Sequence, residues 1–280
     1  MITLKTWFET IRTTLTNLRA LGILAMLYAL FLVSLYYFIW IREATLWQVT
    51  VTLFLLVLVP LEFFVLQSAI LNHAREPKFR WQQILRDAIK LAVVTIPVLL
   101  LAWALWALLN KWQLRFPAPH PPITFPATAP RLQPMHWPSL VFATVRGILF
   151  GVALPLAAIH LWIEVAGRNV RDTVGGGGQA VLKRIGNVFA RAFASDSVFT
   201  YALGLIFFVA VPYALLFIPF TVKGNKTDFA VFIARLVLGF LITLIGWVVT
   251  LTALTRESTA SAVATSPKTI PDTPAAEAPA

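Results

Sequence analysis

The sequence has no cysteine, and only 12% of its 280 residues carry charge. The first absence excludes disulfides, cysteine metal sites and thiol catalysis together. The second excludes an ordinary soluble domain, in which about a quarter of the residues are charged. Motifs that carry chemistry are scarce as well. There is no Gly-x-x-x-x-Gly-Lys-Ser/Thr loop, no Gly-x-Gly-x-x-Gly turn and no His-Glu-x-x-His helix. No serine stands in a Gly-x-Ser-x-Gly elbow or beside a lysine in a Ser-Lys arrangement. Nothing points to a catalytic, cofactor-binding or metal-binding set of residues, and a non-catalytic protein is the expectation.

What fills the chain instead is apolar. Hydrophobic residues make up 59%, and the mean hydropathy is +0.78. Several runs exceed the roughly 20 residues needed to cross a hydrocarbon core. The predicted fold is an all-α membrane protein, a bundle of six transmembrane helices. The spans lie near 21–41, 46–71, 88–109, 140–166, 198–220 and 229–254, so residues 1–256 form a single integral membrane domain. Trp40 and Trp47 flank the first turn-around as aromatic anchors.

Three stretches outside the spans have their own character. Residues 111–139 form a Pro-rich extracytosolic loop. It contains Pro117, Pro119, Pro121, Pro122, Pro126, Pro130, Pro134 and Pro138, which together forbid a helix or central strand. His120 and His136 lie there without a carboxylate or cysteine to complete a metal site. Residues 167–197 hold four consecutive glycines, Gly175 to Gly178, and then a basic amphipathic segment. Residues 257–280 are rich in Ala, Pro, Thr and Ser, and a disordered tail is expected.

Lys and Arg number 23 against 12 acidic residues, a net charge of +11. They sit beside the spans, so anionic headgroups, rather than nucleic acid, are the expected partner. Fifteen fall on the side of the two termini and six on the other. That bias places both termini in the cytosol of a cell (inner or plasma) membrane. Each outward-going span is preceded by a basic amphipathic segment, at 4–18, 79–89 and 181–193. In the first, Leu4, Trp7, Phe8, Ile11, Leu15 and Leu18 form an apolar stripe that suits an interfacial helix. The pattern suggests three repeated units of amphipathic helix plus hairpin, and WFETIR at 7–12 is similar to WQQILR at 81–86. Arg80, Arg86, Lys183, Arg184 and Arg191 are the candidate contacts to anionic lipid.

Ionisable residues inside the spans are the remaining candidates. The fourth span, Leu140–Gly167, carries Arg146, Pro155, His160 and Glu164. On a helical wheel Arg146, Ala153, Ala157, His160 and Glu164 fall within about 60° of one another. Glu62 stands roughly 13 Å inside the second span and His160 at a similar depth. A carboxylate there must be protonated, paired or wet. Glu62, His160 and Glu164 are therefore the candidate intramembrane polar site, with Pro60 and Pro155 beside it. A buried interhelical hydrogen bond between kinked helices is the structural alternative. Arg146 and Arg235, near the outer ends of their spans, read as headgroup contacts by snorkelling. Gly147/Gly151 and Gly239/Gly246 read as small-residue seams for packing within the bundle or for dimerisation.

The leading functional expectation is a scaffold, assembly or regulatory factor. It binds anionic lipid, or a membrane-protein partner or second copy, through basic cytosolic amphipathic helices. The alternatives are a small proton- or solute-coupled transporter using Glu62 and His160, and an intramembrane enzyme acting on lipid.

Overall fold

The computed structural model describes residues 2–42, 45–76, 79–117, 136–166, 177–219 and 225–264, and every element among them is helical. In chain order they are α1 (Ile2–Thr16), α2 (Leu18–Trp40), α3 (Leu46–Arg75), α4 (Trp81–Gln113), α5 (Trp137–Ala166), α6 (Gly177–Ala192), α7 (Ser195–Phe217) and α8 (Asn225–Ala264). Six of these, α2 to α5, α7 and α8, contain stretches long and apolar enough to cross a membrane, the architecture of a multi-pass membrane protein. Helices are what such sequences must form, because each backbone N–H and C=O then finds its partner inside the segment.

Two boundaries differ from the sequence expectation. The segment at 79–89 is no separate helix: α4 starts at Trp81 and runs unbroken to Gln113. No glycine or proline interrupts residues 81–96, so the basic stretch simply becomes the first turns of the span. Ile84, Asp87, Ala88 and Leu91 face the core there, and Trp81 and Leu85 are exposed. At the other end of the chain α8 continues to Ala264, well past Leu254. Its extra turns are tied down where Thr200 of α7 donates to Glu257 at 2.7 Å. Residues 118–135, 167–176 and 265–280 lie outside the described residues, and with them most of the Pro-rich loop, the start of the Gly-rich loop and the end of the tail. Gly177 and Gly178 open α6.

Prolines shape α5 and α7 in the same way. Each helix has one π-helical turn just before its proline, Leu149–Ala153 ahead of Pro155 and Ile206–Ala210 ahead of Pro212. In both, the residue before the proline donates five residues back, Leu154 to Leu149 and Val211 to Ile206. Proline has no N–H for the carbonyl four residues earlier, and its ring crowds that carbonyl. A single widened turn relieves the crowding without breaking the helix.

The core sits in one half of the bundle. Leu66 and Ile70 of α3, Leu91 of α4, Leu156 and Ile159 of α5, and Leu244, Val248 and Leu251 of α8 pack together there. This half also carries the α3–α4 turn and the ends of α5 and α8. In the opposite half large apolar side chains point outward, among them Tyr37, Phe54, Leu100, Val141, Phe217 and Phe232. Such a surface is stable only against lipid.

The close seam in the bundle joins α7 to α8. A Cβ on Gly246 would stand 3.0 Å from the backbone nitrogen of Phe208, and one on Gly204 would overlap the Thr250 side chain. By contrast, a Cβ on Gly147 or Gly151 would meet nothing within 4 Å, so that pair makes no close helix packing among the described residues. The helix α1 packs along α8 through Trp7, Thr10 and Thr14, all buried. Trp7 stacks at a tilt on Phe207 with ring centroids 4.7 Å apart, and packs with Val249 and Ala253. Phe8, Leu15 and Leu18, part of the predicted apolar stripe, face outward. Thr10 and Thr14 fit the buried side because they are small, and Thr10 also accepts a hydrogen bond from Arg256.

Candidate functional site

The polar groups named from sequence are distributed over two places. Glu62 in α3 accepts a hydrogen bond from Ser34 of α2 at 3.1 Å, and its second oxygen is buried without a partner. His160 in α5 lies 3.5 Å, through Nδ1, from the hydroxyl of Ser258 in α8, and its Nε2 is buried without a partner. The contacts between α3 and α5 at this level are aromatic: Phe63 and Phe64 meet Trp162 edge-on, with centroids 6.1 and 6.3 Å apart. Glu62 and His160 therefore share no hydrogen bond. Glu164 lies 3.6 Å from Arg191 of α6. That contact joins a member of the predicted polar site to a member of the predicted lipid-binding set. Arg168, the other partner considered for Glu164, lies outside the described residues.

The remaining basic residues point outward. Arg86 and Lys183 are exposed, and Arg80 is exposed with Glu76 at 3.3 Å. The side chain of Arg184 lies outside the described ones. At the opposite end Arg146 and Arg235, expected to reach headgroups, also find acceptors within the protein. Arg146 donates to Asn110 at 2.6 Å and to Gln113 at 2.7 Å, with its guanidinium 4.8 Å from the Trp106 ring centre. Arg235 donates to the carbonyls of Leu215 and Ile218 at 2.5 and 2.6 Å, closing the last turn of α7. Both find planar or carbonyl acceptors that suit a guanidinium fork. Among the described residues no group of three or more His, Cys, Asp or Glu could hold a metal ion. His136 bonds Ser139 at 2.7 Å, and His120 lies outside the described residues.

A site that the sequence did not reveal lies where α1, α3 and α8 meet. It is a cavity of about 280 Å³. Thr13 of α1 and Asn17, which caps α2, form one wall; the last turn of α3 contributes His73 and Arg75, and α8 contributes Thr252 and Arg256. Arg256 donates to the hydroxyls of Thr10 and Thr13 at 3.2 and 3.3 Å, which fixes the guanidinium against α1. Arg75 donates to the carbonyl of Ile163 in α5. His73 stacks flat on Phe79, centroids 5.6 Å apart. The hydroxyl of Thr252 and Nδ1 of His73 are buried with no hydrogen-bond partner. No sequence pattern joins residue 13 to residues 75 and 256. The available signals were Arg256 at the end of a threonine-rich apolar run and Arg75 two residues after His73.

Comparison with family models, with curated proteins and with solved structures finds no match for this chain.

Proposed function

We propose that this chain is a non-catalytic membrane protein that binds anionic lipid through the basic residues at the end of the bundle carrying both termini, and that this end faces the cytosol. The observation that carries the reading is the excess of Lys and Arg on the terminal side, fifteen against six, with Arg86 and Lys183 of that side exposed. Arg146 and Arg235 at the other end are held by acceptors within the protein. Arg86 and Lys183 are exposed, with no ion pair among the described residues. A basic residue near an anionic leaflet contributes about 1 kcal/mol of attraction each. The excess of Lys and Arg on the terminal side supports the orientation. In this reading α1, the start of α4 and α6 present charge from three successive hairpin units.

The test is lipid selectivity. Full-length protein is taken from membranes containing phosphatidylglycerol and phosphatidylcholine, and retained lipid is counted by native mass spectrometry. R86E/K183E is expected to lose several-fold of the retained phosphatidylglycerol and none of the phosphatidylcholine. Unchanged retention overturns the reading. Because the chain has no cysteine, single cysteines near either terminus and in the Pro-rich loop report orientation directly by labelling from one side.

A second reading rests on Glu62 and His160, each with one polar atom buried and unpartnered. Such groups inside a bundle are used by proton-coupled transporters. Proton flux in proteoliposomes that E62A and H160A both abolish would support it, and flux indifferent to both would remove it.

A further inference from the structure

We infer that the cavity between α1, α3 and α8 is a binding site for one anionic phosphate group, held between Arg75 and Arg256. The inference deepens the lipid-binding reading, but it stands on different residues.

Two guanidinium groups and an imidazole line a space of about 280 Å³, and no Asp or Glu among the described residues lines it. Both arginines are exposed, so the site is open to solvent, and a cluster of cationic groups favours the entry of an anion. The nearest carboxylates have other partners. Asp87 and Glu164 act on Arg75 electrostatically, but Asp87 is bound to Lys90 at 2.7 Å and Glu164 lies 3.6 Å from Arg191. Among the described residues Arg256 bonds to threonine hydroxyls, which orient it without neutralising it. Its two contacts leave the rest of its donor fork for a ligand.

A second observation points to a ligand. Thr252 is 4% exposed, lines the cavity, and has a hydroxyl with no partner. His73 adds another buried, unpartnered nitrogen. Leaving such groups unpaired costs about 1–3 kcal/mol each. They complete a donor set around an acceptor-rich anion. Asn17, whose side chain caps the first turn of α2 by accepting from Ala20 N–H, also lines the cavity. Phosphate oxygens match this combination of guanidinium and hydroxyl donors. The volume, about that of several waters, admits a phosphate with part of its ester. The phosphate arrives either as a lipid headgroup or free in solution.

The test uses the full chain in maltoside micelles. Inorganic phosphate is titrated against chloride at matched ionic strength, and phosphatidylglycerol is titrated separately. Thermal unfolding and native mass spectrometry read the binding. One saturable site per chain is expected, weakened at least tenfold in R256Q and at least threefold in T252V. The valine keeps the shape of Thr252, so T252V carries the test if R256Q fails to fold. Protection by the lipid alone assigns the headgroup, and protection by inorganic phosphate alone assigns the free anion. Protection by neither, or binding unchanged in T252V, overturns the inference. R86E/K183E changes the exposed face and leaves the cavity intact, so it is expected to keep the single tight anion while losing bulk lipid retention. If it loses the tight anion as well and T252V keeps it, the cavity assignment falls and the surface reading stands.

Discussion

The hydroxyl of Tyr201 in α7 donates to the backbone carbonyl of Gly151 in α5, 3.2 Å away. Gly151 is four residues before Pro155, so its carbonyl is the one that proline cannot serve. The π-helical turn at Leu149–Ala153 exposes that oxygen, and a neighbouring helix supplies the missing donor. A local sequence defect in one span thereby becomes a tertiary contact with another. In lipid this matters more than in water, because no solvent stands ready to satisfy the carbonyl.

Removing the hydroxyl with Y201F is expected to destabilise the bundle by about 1 kcal/mol, the usual size of an interhelical hydrogen bond in a membrane. P155A should return an N–H to the Gly151 carbonyl. In the P155A background Y201F is then expected to cost close to nothing. Reversible unfolding in mixed micelles, run as a double-mutant cycle, measures the coupling, and additive effects would show that the two groups act independently.

The glycines range from tight to open, with Gly239 between, where a Cβ would meet Leu216 at an ordinary 3.6 Å. G246A drives a Cβ to 3.0 Å from a backbone atom of Phe208, and G204A drives one into Thr250. Overpacking of this kind costs about 1–3 kcal/mol. T250A is expected to rescue part of the loss in G204A, because the closest atoms belong to that side chain. G147A and G151A, with nothing within 4 Å, are expected to be neutral or to stabilise the helix by up to about 1 kcal/mol through propensity. Thermal unfolding of the four single variants ranks them.

Six spans were legible because twenty apolar residues in a row leave lipid as the only solvent that suits them. The polar contacts were not legible to the same degree. Periodicity places Glu62 and His160 at similar depths, but which neighbour each meets depends on helix rotation, and rotation is set by packing. Here aromatic contacts of Phe63 and Phe64 with Trp162 occupy the α3–α5 interface, Ser34 takes Glu62, and Ser258 takes His160. Ser258 itself fell in a stretch read as tail. Gly147 and Gly151 match a packing motif by spacing alone, and the real seam lies at Gly204 and Gly246. Spacing on one helix says nothing about where a second helix approaches. The cavity was hidden for the same reason, since its residues come from three helices far apart in the chain.

Arg146 offers a direct test of internal use against snorkelling. R146K keeps the charge and a long stem, so a headgroup contact would survive it. The bonds to Asn110 and Gln113 and the position over Trp106 need a planar fork. R146K is therefore expected to lose about 1–2 kcal/mol, close to the loss in R146A. Equal stability of R146K and wild type, measured by thermal unfolding in micelles, would favour the headgroup interpretation.

The pair of Ser34 and Glu62 gives a sharper case, because the two partners need each other unequally. Glu62 has one oxygen bound to Ser34 and one buried without a partner. S34A leaves both oxygens bare in an apolar setting, and is expected to destabilise by about 1–3 kcal/mol, the desolvation cost of an unsatisfied buried group. Ser34 loses less when Glu62 is removed, since a helical serine can turn its hydroxyl to the carbonyl of Leu30 four residues back. S34A/E62L replaces both polar groups with apolar ones of fitting size, and its stability is expected to return to near that of wild type. Should S34A/E62L remain as unstable as S34A, shape at this contact matters more than hydrogen bonding. Should E62L alone exceed wild type in stability, Glu62 is held at a cost to the fold, which is the pattern of a residue kept for proton or solute handling rather than for packing.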